Sequence, residues 1–370
     1  MTFSAPVPLP PPAVPAAGEP HPYHRLAHAT GRHRWWRPLV GTVMVIVGWI
    51  LLFIVTDAFA YGFGTAKGYP EDGDGGIDFG PVVNTAQSLA YLAVAIPVVL
   101  LTVRWAGRRP AGTISSVEGR LRKRWLALCV LVAVPVVALT MAAMLFLPVG
   151  ETSGTGDDVW VGLYRYLPIL GMLVVLVPLQ SAAEEYVFRG WLLQAVGAFF
   201  RSPWIAVLPQ AVLFAAAHGW GTTAGFLDLV VFGGIAGWLT VRTGGLEAAT
   251  ALHALNNLVS FAVGAAFVGG LDSDETAADL PWQLAAIDTT MIVVYAAAVL
   301  WLARRRWPHG ALSSPSAPPA DKFPYPYQLA YAPPAPEGQQ HGGSAGEPTD
   351  PAVAQAHPRT AWHATDGTRP

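Results

Sequence analysis

Long apolar runs alternate with short polar connections through the central part of the chain, residues 36–306. An α-helix needs about 20 apolar residues to cross the hydrocarbon layer of a bilayer. Seven runs approach that length, and they cover residues 39–56, 81–103, 125–149, 163–180, 225–241, 246–268 and 283–303. An eighth run, residues 204–219, is shorter and contains Pro209. The pattern predicts an all-α, polytopic helical membrane protein with about eight transmembrane helices.

Proline separates this central part from the two ends of the chain. Of the 33 prolines, 8 fall in residues 1–35 and 13 in residues 307–370. Such Pro-rich tracts lack backbone donors and apolar periodicity, so they favour extended, solvated chain. The sequence therefore predicts a disordered N-terminal tail (residues 1–35), a transmembrane domain (residues 36–306) and a disordered C-terminal tail (residues 307–370).

The composition supports a membrane protein and excludes several other classes. Charged residues make up 12% of the chain, about half of the roughly 25% typical of soluble domains. The formal net charge of -2 excludes a generally basic protein that binds nucleic acid. The single cysteine, Cys129, excludes an intrachain disulfide framework. We expect the lipid bilayer as a partner, and neither nucleic acid nor a soluble cofactor.

Basic residues accumulate in alternate connections between the apolar runs. Residues 104–124 contain six arginines and one lysine, whereas residues 71–78 contain four acidic residues. Lysine and arginine mark the cytoplasmic side of membrane proteins. The sequence therefore predicts an integral protein of the plasma membrane with both termini in the cytoplasm.

Two adjacent acids stand at the end of the fourth apolar run, in the segment Glu184-Glu185-Tyr-Val-Phe-Arg189. An ionisable group at membrane depth is costly unless it is paired or hydrated, which makes each one a functional candidate. On a helix, Glu185 and Arg189 are four residues apart and face each other. Glu184 is rotated by about 100° and can face a cavity. These residues suggest one structural and one proton-handling carboxylate, or else an ion pair at the helix end.

Two histidines lie within the apolar region, and the other eight lie in the tails. His218 follows Phe214 at a spacing of four residues, and alone it would suit a packing role. His253 and Asn257 share a helix face at positions i and i+4. An imidazole beside a carboxamide can stabilise the negative charge that develops when water attacks a carbonyl group.

The three motifs in this order, Glu-Glu-x-x-x-Arg, Phe-x-x-x-His and His-x-x-x-Asn, resemble the CPBP family of intramembrane proteases. That family includes the type II CAAX prenyl endopeptidases and bacterial relatives linked to bacteriocin self-immunity. The resemblance covers roughly residues 160–268. It implies that Glu184 activates water with His218 as its partner, and that His253 and Asn257 stabilise the oxyanion. The residues that it implies as supporting groups are Glu185 and Arg189.

Metal dependence stays open at this point. Glu184, His218 and His253 form a possible ligand set for a divalent metal such as zinc, with an open fourth position. The same residues suit a metal-free glutamate protease. The metal-free mechanism is preferred, because Asn257 is a poor zinc ligand and a good oxyanion donor.

The motifs lie at different depths along straight spans. A residue count places Glu184 near the inner end of its span and His218 near the outer end of the next. Catalytic groups must lie within hydrogen-bond reach, directly or through one water. The sequence therefore predicts an irregular or re-entrant segment around Gly190 to Pro209, which brings His218 within about 12 Å of Glu184.

Two other functions fit parts of the sequence. One is a non-enzymatic membrane scaffold or immunity-type protein, and the other is a proton-coupled transporter that uses intramembrane acids as a relay. We expect structural roles for Asp228 and Asp288, and a solvated position for Glu247 beside Arg242. The preferred function is an intramembrane endopeptidase whose partner is a membrane-associated peptide or protein substrate.

Overall fold

The computed structural model describes residues 21–146, 159–272 and 276–307. In hydrocarbon, a backbone satisfies its N–H and C=O groups only in helices or closed barrels, and most of the described residues are helical. The helices are α1 (Trp36–Lys67), α2 (Pro81–Ala93), α3 (Ala95–Trp105), α4 (Lys123–Phe146), α5 (Leu163–Glu185), α6 (Leu193–Gly197), α7 (Pro203–Ala217), α8 (Thr223–Thr243), α9 (Glu247–Gly264) and α10 (Trp282–Arg306). A π-helical segment, Tyr186–Leu192, joins α5 to α6, and short 3₁₀ turns cover Tyr23–His28, Ala111–Ile114 and Ala277–Asp279.

The predicted fold class, a polytopic all-α membrane protein, is confirmed. Over the ranges given above, six helical segments are long and apolar enough to cross a membrane: Trp36–Lys67, Pro81–Trp105, Lys123–Met144, Leu163–Gly197, Thr223–Thr243 and Trp282–Arg306. The other two predicted runs correspond to α7, with 15 residues, and α9, with 18. The predicted residues 147–149 lie outside the described part of the chain.

One predicted span is divided by a proline. The run over residues 81–103 forms α2 and α3, which meet at Val94. Pro97 has no N–H to offer the carbonyl of Ala93, and its ring crowds that carbonyl. The two helices remain one apolar segment of 25 residues.

The largest buried cluster lies between α4, α8, α9 and α10. Its fully buried side chains include Leu239 of α8 and Tyr295 of α10. The hydroxyl of Tyr295 donates to the carbonyl oxygen of Ala248 in α9 at 2.8 Å. Because α9 also packs against α4, α5 and α8, its position is fixed on several sides. By contrast, α1 exposes large apolar side chains such as Phe59, as a lipid-facing helix does.

The ordered domain begins before residue 36, which corrects the predicted boundary of the N-terminal tail. Tyr23 and Leu26 are fully buried. His24 and His28 bond the backbone carbonyls of Arg201 at 2.9 Å and Ala198 at 2.8 Å. Residues 23–35 contain no proline and include apolar side chains, so they can fold against α6. The rest of the predicted tails, residues 1–20 and 308–370, lies outside the described residues.

A buried ion pair ties the connection before α4 to the first residue of α9. Arg122 holds Glu247 in a bidentate contact, with Nε 2.9 Å from Oε1 and Nη2 2.7 Å from Oε2. Arg122 Nη1 also donates to the carbonyl oxygen of Thr243 at 3.0 Å. Glu247 is fully buried, so the expectation of a solvated charge beside Arg242 is wrong. A carboxylate at this depth requires a cation close to it.

We expect Glu247→Ala to destabilise the protein, because it leaves the Arg122 guanidinium buried without its carboxylate. Breaking such a pair from one side costs about 3–5 kcal/mol. Thermal and denaturant unfolding in detergent measures this loss. The control is Glu118→Ala, which removes the partner of the exposed Arg120 and should change stability by less than about 1 kcal/mol. Equal stability of the two variants would contradict the proposed anchoring role.

Candidate active site

The end of α5 and the π-helical segment carry the first group of site residues. Glu184 and Glu185 are the last two residues of α5, and Arg189 lies in the π-helical segment. A π-helical turn widens the helix locally and is frequent at functional sites. Gly190 permits a close approach to the neighbouring 3₁₀ turn, since a Cβ there would lie 2.8 Å from the side chain of Ile114. The wide turn is thus held against that neighbour.

Arg189 neutralises Glu185 within an apolar interior. Both side chains are fully buried, and Arg189 Nη1 lies 3.0 Å from Glu185 Oε1. The guanidinium also lies over the rings of Phe214 and Phe232, 4.0 Å and 5.4 Å from their centroids. A buried charge is tolerated when it is paired, and this contact gives Arg189 and Glu185 that pairing. The i, i+4 contact expected from the sequence is present.

His253 of α9 lies between the two glutamates. Its Nδ1 is 2.8 Å from Glu185 Oε1, and its Nε2 is 3.6 Å from Glu184 Oε2. An ionised carboxylate only accepts hydrogen bonds, so Nδ1 of His253 must carry the hydrogen and donate it. In the neutral imidazole, this arrangement leaves the lone pair of Nε2 directed toward Glu184.

His218, the residue that follows α7, approaches Glu184 from a second direction. Its Nδ1 lies 2.9 Å from the carbonyl oxygen of Phe214. A carbonyl oxygen only accepts, so the hydrogen is again on Nδ1. The other nitrogen, Nε2, lies 4.0 Å from Glu184 Oε2. The four-residue spacing of Phe214 and His218 therefore fixes the tautomer of the histidine.

Three hydrogen-bond acceptors consequently meet at one point. Glu184 Oε2 has no hydrogen-bond partner among the described residues, and the Nε2 atoms of His218 and His253 face it. Acceptors cannot satisfy one another, whereas a water molecule can donate to two of them. A water oxygen about 2.8 Å from both atoms can bridge Glu184 Oε2 to either histidine nitrogen at these separations. The arrangement suits the binding and deprotonation of water.

Gln180 is a site residue that the sequence analysis missed. It is buried one helical turn before Glu184, and its Nε2 donates to Glu184 Oε1. Its Oε1 accepts from Asn257 Nδ2 at 3.3 Å. Gln180 thereby holds one oxygen of Glu184 and leaves the other directed toward the histidines. The available signal was its i, i+4 spacing from Glu184.

Glu184, His218 and His253 carry the types of ligand atom that zinc prefers, but these atoms are not arranged as a metal site. Two imidazole nitrogens and a carboxylate oxygen are ligands that zinc prefers. No group of three or more His, Cys, Asp or Glu within the described ranges is arranged to hold a metal ion. We therefore derive no chemical step through a metal at Glu184, His218 and His253.

The irregular segment expected from the sequence brings the motifs together. Between Glu184 and His218, the chain forms the π-helical segment, the short α6, a turn and the short α7. Glu184 and His218 are separated by 4.0 Å between Oε2 and Nε2, well inside the predicted limit. All six residues predicted for the site contact another member of it, as the distances above show.

A cavity of about 170 Å³ opens beside these residues. His218, His253 and Asn257 contribute to its walls. Glu184 is not among the lining residues, but the two histidines whose Nε2 atoms face it are. These histidines therefore border space that a substrate can occupy.

Comparisons with known proteins agree with the resemblance found in the sequence. Residues 166–259 match the family described as type II CAAX prenyl endopeptidase Rce1-like. The uncharacterized protein YyaK of Bacillus subtilis (strain 168) is 26% identical over 185 residues, which are 48% of this chain and 60% of the relative. The chain thus spans less than two thirds of this relative's length. No solved structure matches the chain. The resemblance to the CPBP family is confirmed, and the matched range contains every predicted site residue.

We expect Arg189→Ala to destabilise the protein by about 3–5 kcal/mol, because Glu185 would then be buried without a cation. Adding Glu185→Gln should recover part of that loss, since it removes the unpaired charge. Thermal unfolding of the two single variants and the double variant gives the coupling energy.

The matched control for this experiment is Arg305→Ala. Arg305 also lies over an aromatic ring, 4.0 Å from the centroid of Trp301, but it forms none of the ion pairs found among the described residues. It should change stability by less than about 1 kcal/mol. Strictly additive effects of the Arg189 and Glu185 substitutions would contradict the assigned pairing.

Proposed function

We propose that this chain, whose residues 166–259 match the Rce1-like family of CAAX-type intramembrane proteases, is an intramembrane endopeptidase that hydrolyses peptide bonds in or near the membrane. The observation that carries the proposal is the convergence of Glu184 Oε2 with the Nε2 atoms of His218 and His253. A carboxylate next to two imidazoles can take up, hold and return a proton. Peptide hydrolysis by an activated water requires these three operations.

Glu184 is the proposed general base, with His218 as its partner. Glu184 Oε2 takes one proton from the water, while His218 Nε2 accepts a hydrogen bond from the other. The water oxygen forms a bond to the scissile carbonyl carbon, and the carbonyl oxygen becomes an oxyanion. When the C–N bond breaks, Glu184 returns its proton to the leaving nitrogen. Acid–base catalysis of this kind contributes about 10²–10⁴ to a rate.

His253 and Asn257 are the proposed stabilisers of the oxyanion. The carboxamide of Asn257 donates through its N–H groups. After it has taken up a proton from solvent, His253 donates through Nε2 to the oxyanion, while its Nδ1 stays bonded to Glu185. Arg189 supports the pair because it holds the carboxylate of Glu185 in place. Each preorganised donor of this type is worth about 3–4 kcal/mol in the transition state.

The proposed mechanism uses no metal. The three acceptors need a hydrogen-bond donor, which water supplies, and Asn257, a potential donor to the oxyanion, lines the cavity beside the two histidines. The competing mechanism places a divalent metal such as zinc on Glu184, His218 and His253. Resistance of cleavage to a chelator distinguishes the two mechanisms.

The proposed substrate is a membrane-associated peptide or protein, and the proposed location is the plasma membrane with both chain termini in the cytoplasm. The long apolar helices support a lipid environment for the protein and its substrate. The basic loop of residues 104–124 supports the orientation through the distribution of positive charge. Specificity for prenylated tails is not part of the proposal.

The test is cleavage of a library of transmembrane peptides by the purified full-length protein. We expect Glu184→Gln and His218→Gln each to lower kcat/KM by about 10²–10⁴, because each removes a proton-handling group. The matched controls are Glu118→Gln and His33→Gln, which lie outside the candidate site and should alter kcat/KM by less than about threefold. A chelator should leave wild-type cleavage unchanged if the mechanism is metal-free.

The outcomes separate the possible functions. Equal cleavage by the wild type and both site variants would overturn the proposal. If the wild type cleaves none of the peptides while Glu184→Gln leaves its cellular function intact, the scaffold or immunity-type role is favoured. Loss of cleavage with the chelator would support the metal-dependent mechanism at the same three residues.

A further inference from the structure

The cavity beside the candidate active site has an acidic wall. Asp228 of α8 and Asp288 of α10 line it together with His218 and His253. Asp228 is only 6% exposed, and its Oδ1 accepts a hydrogen bond from Thr289 Oγ1. The carboxyl groups of Asp228 and Asp288 thus come from two different helices to the wall of one cavity. The hydrogen bond between Thr289 and Asp228 joins α10 to α8 beside the cavity.

No lysine or arginine is paired with the carboxyl groups of Asp228 and Asp288 in the described part of the chain. Two carboxyl groups on the wall of one cavity favour a cation there, because a cation offsets both their mutual repulsion and the cost of ionising them away from bulk water. The ion pairs in the described part of the chain include no lysine or arginine in contact with either aspartate. A charge away from bulk water is costly unless it is paired. A cationic group that enters the cavity would supply that pairing.

The remaining walls suit a long aliphatic chain. Met141 and Met144 of α4 and Leu229 of α8 contribute apolar surface to the same cavity, and methionine adapts its shape to an occupant. A cavity of about 150 Å³ can hold a benzene ring, so the present one, of about 170 Å³, can hold one long side chain. Lysine and arginine combine an apolar stem with a charged head, which matches apolar walls and an acidic wall.

We propose that Asp228 and Asp288 are specificity-determining residues, which bind a lysine or arginine side chain of the substrate close to the peptide bond that is cleaved. The proposal rests on the proposed endopeptidase function, because it treats the cavity as the entrance to Glu184. The substrate class is thereby narrowed to membrane-associated peptides with a basic residue near the cleaved bond. A substrate with a neutral residue at this position is disfavoured, because it cannot pair with the buried carboxyl groups of Asp228 and Asp288.

Paired substrates provide the direct test. Transmembrane peptides are made in which lysine or norleucine, which keeps the aliphatic stem without the charge, occupies each position near the cleaved bond. We expect wild-type kcat/KM to favour lysine over norleucine by at least about tenfold at one of these positions. In the Asp228→Asn/Asp288→Asn double variant, the ratio should fall below about threefold. Because the readout is a ratio, a general loss of activity from altered packing cancels.

The matched control is Asp57→Asn, which removes an aspartate of α1 that contacts Tyr91 and does not line the cavity. It should keep the wild-type ratio. The single variants Asp228→Asn and Asp288→Asn give the same readout if the double variant folds poorly. An unchanged ratio in all three aspartate variants of the cavity would overturn the proposed subsite while leaving the proposed protease function intact.

A binding measurement keeps the subsite testable apart from cleavage. In the Glu184→Gln background, the lysine peptide should bind at least about fivefold more tightly than the norleucine peptide, and the two cavity substitutions should remove the difference. If the wild type cleaves none of the peptides but the binding difference is present, the protease function fails and the subsite stands. Equal binding of the two peptides would overturn the subsite.

Discussion

The arrangement of the site depends on one buried cation. Arg189 has no access to solvent, and it lies between a carboxylate and two aromatic rings. Its guanidinium pairs with the carboxylate of Glu185, that carboxylate accepts the hydrogen on Nδ1 of His253, and Nε2 of His253 then faces Glu184. A local electrostatic contact therefore determines the protonation pattern of residues on two different helices.

The backbone places these groups together by departing from regular helices at a few defined points. The π-helical segment turns the chain after Glu185, and the 15-residue α7 ends just before His218 rather than continuing across the bundle. Gln180 then orients Glu184 from within α5. A straight, fully spanning pair of helices would separate these groups by much of the bilayer thickness, because each residue advances an α-helix by about 1.5 Å.

The sequence predicted the charged members of the site more readily than the contacts that join them. Ionisable residues within apolar runs stand out because their burial is costly. Gln180 is uncharged and ends an apolar run, so it carried no comparable signal. Glu247 lies five residues from Arg242 in the sequence, yet it pairs with Arg122, a partner 125 residues away. The prolines of residues 1–35 lie before residue 23, so the proline content of the whole segment did not reveal the apolar side chains of Tyr23 and Leu26, which are buried. Pairings of this kind depend on tertiary packing, which local patterns do not specify.

The N-terminal docking contact also constrains the order in which the molecule can form. His24 bonds the carbonyl oxygen of Arg201, and the two residues are 177 positions apart. At synthesis rates of about 5–20 residues per second, the surface that receives Tyr23–His28 is made roughly 10–35 s after that segment leaves the ribosome. A contact over this separation also carries a larger loop-closure entropy than the contacts between neighbouring helices. We therefore expect Tyr23–His28 to reach its native contacts late in folding.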